Sequence, residues 1–315
     1  MHFLITGGAG FIGSHLTEQL LAAGHRVTVV DNLTTGHCKN LPSHPALTLL
    51  NEDISLCQPD DFTDPIQGIV HLAATASVSH SWDRPLEVHH NNLSTTMAVI
   101  QLCHALKIPR LVFASSAAVY GNPIQLPLDE TQPPNPISPY GLHKLFGEQY
   151  VSLFTKHYGF SAVLLRLFNV FGERQVLSSS YSGVISAFIS AMQQGLPITL
   201  YGDGTQTRDF IYVKDVAIAM EQALIIPLAN RTCITCNIGT GKPTSLLQLL
   251  EILKPYFPHQ QTEIKFAPRR SGDIQHSWTK IDNASDSLGF VPQWSVNDGL
   301  SHYVESLLNQ GVGSC

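Results

Sequence analysis

The sequence lacks several features that would assign it to common classes of protein. Its 315 residues contain no apolar run long enough to cross a bilayer. They contain no block of Lys or Arg long enough to follow a phosphate backbone, and the net charge is −6. Internal repeats and low-complexity segments are also missing. A membrane-spanning protein and a nucleic-acid-binding protein are therefore poor interpretations of this chain.

Cysteine is sparse and gives no ligand pattern. Of the six cysteines, only Cys233 and Cys236 have the spacing of a metal or redox pair, and no second pair exists to complete a zinc site. The run 233–238 is typical of a buried strand, which favours a structural role for both thiols. The 15 histidines show no ligand spacing either, so we predict no metal site. We expect a reduced, cytoplasmic protein, because the first residues predict a strand of the fold rather than a cleavable signal.

What remains is an ordinary globular composition with a regular alternation of predicted elements. Apolar residues make up 43% of the chain, which is enough to bury a large core. Strand-like runs alternate with helix-like runs, including helices predicted at 92–106 and 139–158. This alternation predicts an α/β fold with a Rossmann-type, doubly wound parallel sheet. We place an NAD-binding domain at 1–170 and a smaller, mixed α/β substrate-binding domain mainly at 171–315, with later returns of the chain to the sheet.

A glycine-rich stretch follows the first predicted strand. Gly7, Gly10 and Gly13 open a predicted helix over 11–22, where free backbone N–H groups and the helix dipole favour a bound phosphate. Gly7 can take a tight turn, Gly10 lets the backbone approach the phosphates, and Gly13 lets the helix pack on the strand. The next predicted strand ends at Asp31, whose carboxylate suits both ribose hydroxyls and repels a 2′-phosphate. The pattern predicts a site for NAD rather than NADP.

Hydroxyl groups and a lysine follow the fifth predicted strand. Ser116 lies at its carboxyl end, and Tyr140 and Lys144 lie one turn apart on the helix predicted at 139–158. An ammonium beside a phenol, with a positive nicotinamide ring nearby, favours the phenolate and lowers the pKa of the phenol. Tyr140 is therefore a candidate general base, and Ser116 is a candidate to orient a substrate hydroxyl. His143 is expected to point away from the shared face and to be structural.

Motifs along nearly the whole chain occur together in one known family. They are Thr6–Gly13, Asp31–Leu33, Asp53–Ile54, His71–Ala74, Asn92, Ser115–Gly121, Tyr140 with Lys144, Arg166–Gly172, Tyr201–Gly204, Arg208–Phe210 and Arg270–Asp273. In these motifs the sequence resembles the extended short-chain dehydrogenase/reductases, specifically the NAD-dependent nucleotide-sugar epimerases and dehydratases.

The resemblance implies a set of binding and catalytic residues. Contacts with NAD are implied for Gly7, Gly10, Phe11, Ile12, Gly13, Asp31, Asn32, Asp53, Ile54, Ala73, Ala74, Asn92, Ser115, Tyr140 and Lys144. The catalytic trio is matched by Ser116, Tyr140 and Lys144. Contacts with a nucleoside diphosphate sugar are implied for Ser116, Asn169, Tyr201, Arg208, Arg270, Asp273 and Ser277. The forked donors of the two arginines suit phosphate oxygens.

Two alanines favour epimerisation over the other reactions of this family. Dehydratases carry an acidic pair at the positions of Ala117 and Ala118, and decarboxylases keep a glutamate there. No acid is therefore available at this point to eliminate water. The resemblance implies that Tyr140 takes the O4 proton of the sugar while NAD accepts the C4 hydride. The hydride then returns to the opposite face of a 4-keto intermediate, and the cofactor is regenerated in each cycle.

A small residue at position 277 favours an acetamido sugar. In the family, a bulky tyrosine four residues after the aspartate of the Arg-x-Gly-Asp motif restricts the pocket, and counting from Asp273 leads to Ser277. We expect interconversion of UDP-GlcNAc and UDP-GalNAc, with UDP-glucose or another UDP-sugar such as a uronate as alternatives. The choice of UDP rests on the resemblance alone. A non-catalytic NAD-binding regulator and a net reductase also stay open as interpretations.

Family members commonly form dimers through the helices predicted here at 92–106 and 139–158. Apolar positions on both helices fit a four-helix bundle between two copies, but they also fit packing on the sheet. These positions are Met97, Ile100, Leu102, Leu145, Val151 and Phe154. We expect a homodimer.

Overall fold

The computed structural model describes residues 1–176, 183–258, 262–269 and 273–312, with side chains up to residue 309. The strands are β1 (His2–Thr6), β2 (Arg26–Val30), β3 (Leu47–Leu50), β4 (Gly68–His71), β5 (Arg110–Ser116), β6 (Ser161–Leu167), β7 (Asn169–Phe171), β8 (Ile198–Tyr201), β9 (Thr207–Tyr212), β10 (Cys233–Ile238), β11 (Pro243–Ser245), β12 (Ile264–Ala267) and β13 (His276–Ser277). The helices are α1 (Phe11–Ala22), α2 (Val78–Asp83), α3 (Pro85–His89), α4 (Thr95–Ala105), α5 (Pro139–Tyr158), α6 (Val184–Gln194), α7 (Val213–Ile225), α8 (Leu246–Leu253), α9 (Asp282–Leu288) and α10 (Val296–Val312).

Seven parallel strands form the main sheet, in the order β10-β6-β5-β4-β1-β2-β3. The strand order reverses between β1 and β4, and ligands bind at the carboxyl end of such a reversal. The predicted α/β class with a doubly wound parallel sheet is confirmed. The last strand, β10, comes from residues 233–238 and pairs with β6, so the chain returns to this sheet after the elements that precede it.

Apolar side chains cover both faces of the sheet. On one face, α1, α7 and α9 pack through residues such as Leu16, Met220 and Leu288. On the other face, α4 and α5 pack through residues such as Ile100 and Val151. Helices on both faces bury the central strands β1, β4, β5 and β6, which explains why these strands are apolar runs rather than alternating ones.

A second layer of structure lies on β9. This strand pairs with β7 and β13 in parallel and with β11 in antiparallel orientation, while β8 and β12 form a separate parallel pair. Helices α6, α8 and α10 bury their apolar faces around these strands, with Ile189, Leu249 and Tyr303 in the core. This layer therefore has an apolar core of its own. Strand β9 contributes side chains both to that core and to the core on one face of the main sheet.

Helix α5 begins where its sequence provides a cap. The Ser138 hydroxyl accepts a hydrogen bond from Gly141 N at 3.1 Å, and Pro139 occupies the first helical turn. The helix ends at Gly159, which adopts a left-handed conformation with φ +91°. These boundaries are as predicted, and they place Tyr140 in the first turn. The helix predicted at 92–106 is longer than expected, because α3 and a π-helical turn (His90–Ser94) precede α4.

Within the ranges given above, no helix combines the length and apolar character needed to span a membrane.

Candidate functional site

The glycine turn between β1 and α1 has the shape of a phosphate cradle. A Cβ on Gly13 would lie 2.2 Å from Gly7 O, so only glycine allows the helix to start this close to the turn. Gly7 has φ +71° and lies against the backbone of Ala73. A Cβ on Gly10, by contrast, would meet only Gly7 O at 3.2 Å. The side of the turn at Gly10 is therefore open, and a pyrophosphate fits there at the positive end of α1.

Carboxylates stand at the ends of the next strands, where an adenosine would lie. Asp31 is buried and accepts hydrogen bonds from Ala9 N and Leu33 N, both at 2.9 Å. Each oxygen keeps a further lone pair for a ribose hydroxyl. Asn32 donates to Asp53 at 3.0 Å. Although burial opposes it, hydrogen bonds from Ser55 and Asn32 hold the pKa of Asp53 below its ordinary value.

A chain of buried polar groups supports the loop after β4. The hydroxyl of Thr6 bonds to His71 Nδ1 at 2.7 Å and accepts hydrogen bonds from Leu72 N and Ala73 N, both at 3.2 Å. Burial and the charge of Lys144 lower the pKa of His71 to about 3, so its ring is neutral at physiological pH. This loop carries Ala73 and Ala74, which are predicted to lie along the pyrophosphate.

The side chain of Asn92 holds the end of the same loop. Its Oδ1 accepts a hydrogen bond from Thr75 N at 2.7 Å, and its Nδ2 donates to Thr75 O at 3.3 Å. The sequence suggested a contact with NAD. The structure shows that the amide is engaged with backbone, so Asn92 shapes the loop beside the predicted cofactor site. Ile54, which was also predicted to contact NAD, has a side chain that is buried in the hydrophobic core.

The predicted catalytic trio meets at the carboxyl end of β5. The Ser116 hydroxyl forms a hydrogen bond to the Tyr140 phenol and also accepts one from Ala118 N at 3.1 Å. Lys144 Nζ donates to Ala114 O at 2.8 Å and lies 5.9 Å from the centre of the Tyr140 ring. The three side chains therefore come from a strand end and one turn of α5, as the spacing predicted.

Burial dominates the electrostatics of this trio. It lowers the pKa of Lys144 to about 8, while Glu148 acts in the opposite direction. It raises the pKa of the Tyr140 phenol, against the hydrogen bond from Ser116. The sequence suggested a lowered value, so the protein's own groups do not produce the predicted shift. A phenolate at neutral pH needs a further positive charge close to the ring.

The side chain of Ser115 points to the other side of β5. Its hydroxyl donates to the buried carboxylate of Glu148, which is paired with Arg166. Neighbouring strand residues alternate between faces, so Ser115 and Ser116 reach different surroundings. Sequence reasoning named Ser115 for the cofactor and missed Glu148. The signal available was its position, four residues after Lys144 and therefore one helical turn away.

Residues predicted for the sugar nucleotide gather around β9. Arg208 Nη2 lies 3.0 Å from Asp273 Oδ1, and Asn169 Nδ2 donates to Asp209 O at 3.1 Å. Ser277 on β13 is in register with Arg208 and is buried. These four predicted residues thus come from three separate parts of the chain. Tyr201 lies at the end of β8, and Arg270 lies outside the residues that the structure describes.

The buried carboxylate of Asp209 organises this second cluster. It accepts hydrogen bonds from Thr240 N and Oγ1, both at 2.7 Å, from Gly241 N at 2.9 Å and from Thr279 N at 3.4 Å. The segment at 128 connects the two clusters, because Leu128 N donates to Trp278 O at 2.9 Å. Strand β13, which carries Ser277, therefore pairs with β9, and the residue after it is hydrogen-bonded to the segment at 128 that follows β5.

Comparison with known proteins agrees with this arrangement. The profile of the family described as "NAD dependent epimerase/dehydratase family" matches residues 3–239. A UDP-N-acetylglucosamine 4-epimerase from Methanobrevibacter ruminantium M1, solved with UDP-N-acetylmuramic acid, is 36% identical, with a TM-score of 0.92 and 98% of each chain covered.

Two further relatives are similar over almost their full length. A UDP-glucose 4-epimerase from Thermotoga maritima, solved with UDP-glucose, is 33% identical with a TM-score of 0.91, and the alignment covers 98% of this chain and 99% of that one. A UDP-glucose 4-epimerase from Lacticaseibacillus casei is 34% identical over 327 residues, covering 98% and 96% of the two chains. The chain belongs to the NAD-dependent epimerase/dehydratase family, and the prediction of NAD as its cofactor is confirmed.

Proposed function

We propose that the protein is a UDP-sugar 4-epimerase that interconverts UDP-GlcNAc and UDP-GalNAc. When bound, NAD supplies a hydride acceptor and donor at the sugar C4. The glycine turn would hold its pyrophosphate, Asp31 its adenosine ribose, and Lys144 its nicotinamide ribose. The fit rests on the open side of the turn at Gly10 and on the spare acceptor positions of the Asp31 carboxylate.

The chain's own residues perform the proton transfer. Tyr140 Oη would accept the O4 proton as the C4–H bond breaks, and the hydrogen bond from Ser116 aligns the two oxygens. The Lys144 ammonium favours the phenolate form of Tyr140 that accepts this proton, and the transfer leaves a neutral phenol. The same proton returns to O4 after the ring has turned, so neither Tyr140 nor the cofactor is consumed.

The absence of an acid separates this reaction from elimination. Ala117 and Ala118 occupy the turn that follows Ser116, and neither can donate or accept a proton. A dehydratase or decarboxylase reaction would need a carboxyl group in this turn. The retained trio also argues against a non-catalytic NAD-binding regulator, which would have no use for a hydroxyl, phenol and ammonium in this arrangement.

The small side chain at Ser277 carries the choice of sugar. Its register with Arg208 supports a position beside the proposed diphosphate site, where a bulky residue would narrow the proposed sugar pocket. A serine there leaves room for a 2-acetamido group. The similarity to a UDP-N-acetylglucosamine 4-epimerase supports the same choice, whereas the UDP-glucose 4-epimerases support the alternative, UDP-glucose.

Epimerisation should be followed by NMR on UDP-GlcNAc and UDP-glucose separately, without added cofactor. We expect the galacto anomeric signal from UDP-GlcNAc. The variant Ser277→Tyr should lose at least 10-fold in kcat/KM for UDP-GlcNAc, because a misfitted substituent costs about 1–3 kcal/mol, and should keep activity on UDP-glucose. Ser277→Ala is the matched control and should retain both activities.

Three results would contradict the proposal in different ways. Turnover of UDP-glucose alone by the unmodified protein would keep the chemistry and reject the choice of sugar. Lack of turnover on both substrates, with NAD added, would point to another nucleotide sugar or to a binding protein. Stoichiometric consumption of reduced cofactor would identify a net reductase.

We also propose a homodimer formed through α5. Several positions predicted to pair with a second copy, including Ile100, Leu102 and Val151, are buried within the protomer instead. A different apolar row is exposed along the helix, formed by Leu142, Phe146, Tyr150 and Leu153. These residues are three or four apart and share one face. Light scattering should give twice the chain mass, and Leu153→Glu should reduce it to one chain.

A further inference from the structure

A buried ion pair lies one helical turn beyond Lys144. Glu148 Oε1 accepts a hydrogen bond from Arg166 Nε at 2.9 Å, and Glu148 Oε2 accepts one from Arg166 Nη2 at 2.7 Å. The two side chains are 6% and 7% exposed. A pair buried to this extent costs several kcal/mol in desolvation and is weak evidence for stability. Its position beside the proposed catalytic groups suggests another use.

The pair and Lys144 hold the same stretch of β5. Lys144 Nζ donates to Ala114 O, and Glu148 accepts from the Ser115 hydroxyl. Lys144 and Glu148, one turn apart on α5, therefore form hydrogen bonds with two consecutive residues of β5, the strand that ends at Ser116. Arg166 also donates to Tyr120 Oη at 2.9 Å, at the end of the turn that follows Ser116. The pair thus lies behind the trio and contacts the structure that positions it.

The Lys144 ammonium is desolvated and receives little compensation. It has Ala114 O as a neutral acceptor, and burial favours loss of its proton. The titratable and charged groups packed around Lys144 and around the Glu148–Arg166 ion pair come from α5, β4, β6, β10 and the turn after β5. They are Tyr140, His143 and Glu148, then His71, Arg166, Cys233 and Tyr120. Among them Glu148 is the residue that favours the charged form of Lys144.

Resting on the proposed function, we infer that Glu148, oriented by Arg166, is a positioning residue that keeps Lys144 charged and directed at Tyr140. Glu148 touches neither the proposed substrate nor the proposed cofactor site, and it acts through Lys144. Arg166 binds both carboxylate oxygens and fixes their orientation. The positive charge of Arg166 partly offsets the attraction between Glu148 and Lys144. The net electrostatic effect of the pair on Lys144 therefore depends on both Glu148 and Arg166.

This arrangement predicts an order of effects that follows charge. Glu148→Gln removes the attraction and leaves the Arg166 charge uncompensated, so Lys144 should lose its proton at lower pH. A shift of about one pH unit is expected when a nearby opposite charge is removed. Arg166→Gln leaves the Glu148 charge unopposed and should move the titration to higher pH. The double variant should lie between Glu148→Gln and the unmodified protein.

Direct titration of Lys144 provides the test. The protein is labelled with ¹³C-lysine, Lys144 is assigned from the Lys144→Met variant, and its Hε/Cε shifts are followed with pH. This readout requires no turnover, so it stays informative if the proposed reaction is wrong. In active protein, the alkaline limb of kcat/KM should move in the same direction as the Lys144 midpoint. The control Glu130→Gln, at the far end of the polar network beyond Asn237, should leave the midpoint in place.

Opposite shifts in the two single variants would support the inference. Equal midpoints in both, or shifts in the same direction, would overturn it, because a purely structural role has no dependence on the sign of the charge. Breaking a buried pair is strongly destabilising, so a single variant can fail to fold. The double variant then decides alone: a midpoint below that of the unmodified protein supports the inference, and an unchanged midpoint rejects it.

Discussion

The two regions that form the proposed site are built in different ways. The NAD side is assembled from strand ends that follow one another in the chain, at Gly7, Asp31, Asp53 and Ala73. The sugar-nucleotide side is assembled around β9 by strands that come from residues 169–171, 243–245 and 276–277. The residues of the first region lie at the ends of strands that follow one another in the chain, whereas the second region depends on pairings between distant segments.

The two regions are therefore expected to differ in the substitutions that they tolerate. In the NAD region, backbone approaches backbone within the glycine turn, and at Gly7 and Gly13 the geometry leaves no room for a single extra atom. In the sugar region, side chains such as Arg208 and Asp273 meet at partly exposed positions, and the contact is between side chains rather than between backbone atoms. We therefore expect substitutions in the first region to affect folding, and those in the second to affect binding.

The largest effect is expected at Gly13. Gly13→Ala would place a methyl group 2.2 Å from Gly7 O and 2.7 Å from Gly8 Cα, and both contacts are with backbone. The turn must open or the helix must shift, which should lower the free energy of unfolding by about 3 kcal/mol or more. Urea denaturation measures the loss, and NAD released on denaturation measures the cofactor retained.

Gly10→Ala is the matched control for this prediction. Its added methyl would meet only Gly7 O, at 3.2 Å, and the residue has an extended backbone that alanine adopts without strain. We expect near-normal stability with a clear loss of bound NAD, because the methyl points into the proposed phosphate site. Equal losses of stability in both variants would contradict the steric argument.

A smaller, binding-specific effect is expected at Arg208. Arg208→Gln removes the guanidinium from the proposed diphosphate site and should raise KM for the UDP-sugar about 10- to 100-fold, as expected for loss of a charge-assisted hydrogen bond worth about 1.5–3 kcal/mol. The NAD content and kcat should change little. Arg26→Gln, which breaks an exposed ion pair with Asp64 at the start of β2, serves as the control. A loss of bound NAD in Arg208→Gln would show that the two regions are not separable in this way.

The same contrast explains how far the sequence could be interpreted. Strand–turn–helix order, the glycine spacing and the Tyr140–Lys144 pair are local patterns, so the main sheet and the meeting of Tyr140 and Lys144 with Ser116 were predictable. The strand pairing of Ser277 with Arg208 joins residues far apart in the chain and has no local signal. Ser115 shows the limit on the NAD side: its type and position suggested the cofactor, but the alternation of β5 turns its hydroxyl to Glu148.

The connection between the two regions gives the smallest predicted effect. Glu173 follows β7 and is bound by Tyr212 Oη at 2.6 Å, by His302 of α10, and at 3.7 Å by His15 of α1. Although burial opposes it, hydrogen bonds from His15 and Tyr212 lower the pKa of Glu173 to about 2. Its carboxylate is thus ionised in the folded protein well below the pH at which an unfolded glutamate takes up a proton.

A depressed folded-state pKa fixes the sign of the pH dependence. The stabilisation from Glu173 is complete above the unfolded value of about 4.3 and is lost as pH falls from there toward 2. We expect it to be on the order of 2 kcal/mol at pH 7. Glu173→Gln should therefore be less stable than the unmodified protein at pH 7, and the difference should narrow as pH falls from 5 toward 3, measured by urea denaturation at each pH. Glu18→Gln is the control. It removes a half-exposed carboxylate of α1 that is paired with Arg174, the residue after Glu173, and should change the free energy of unfolding by less than about 1 kcal/mol. A difference that stays constant with pH would mean that α1, β9 and α10 are held together by packing alone, and that Glu173 does not join the two regions through its charge.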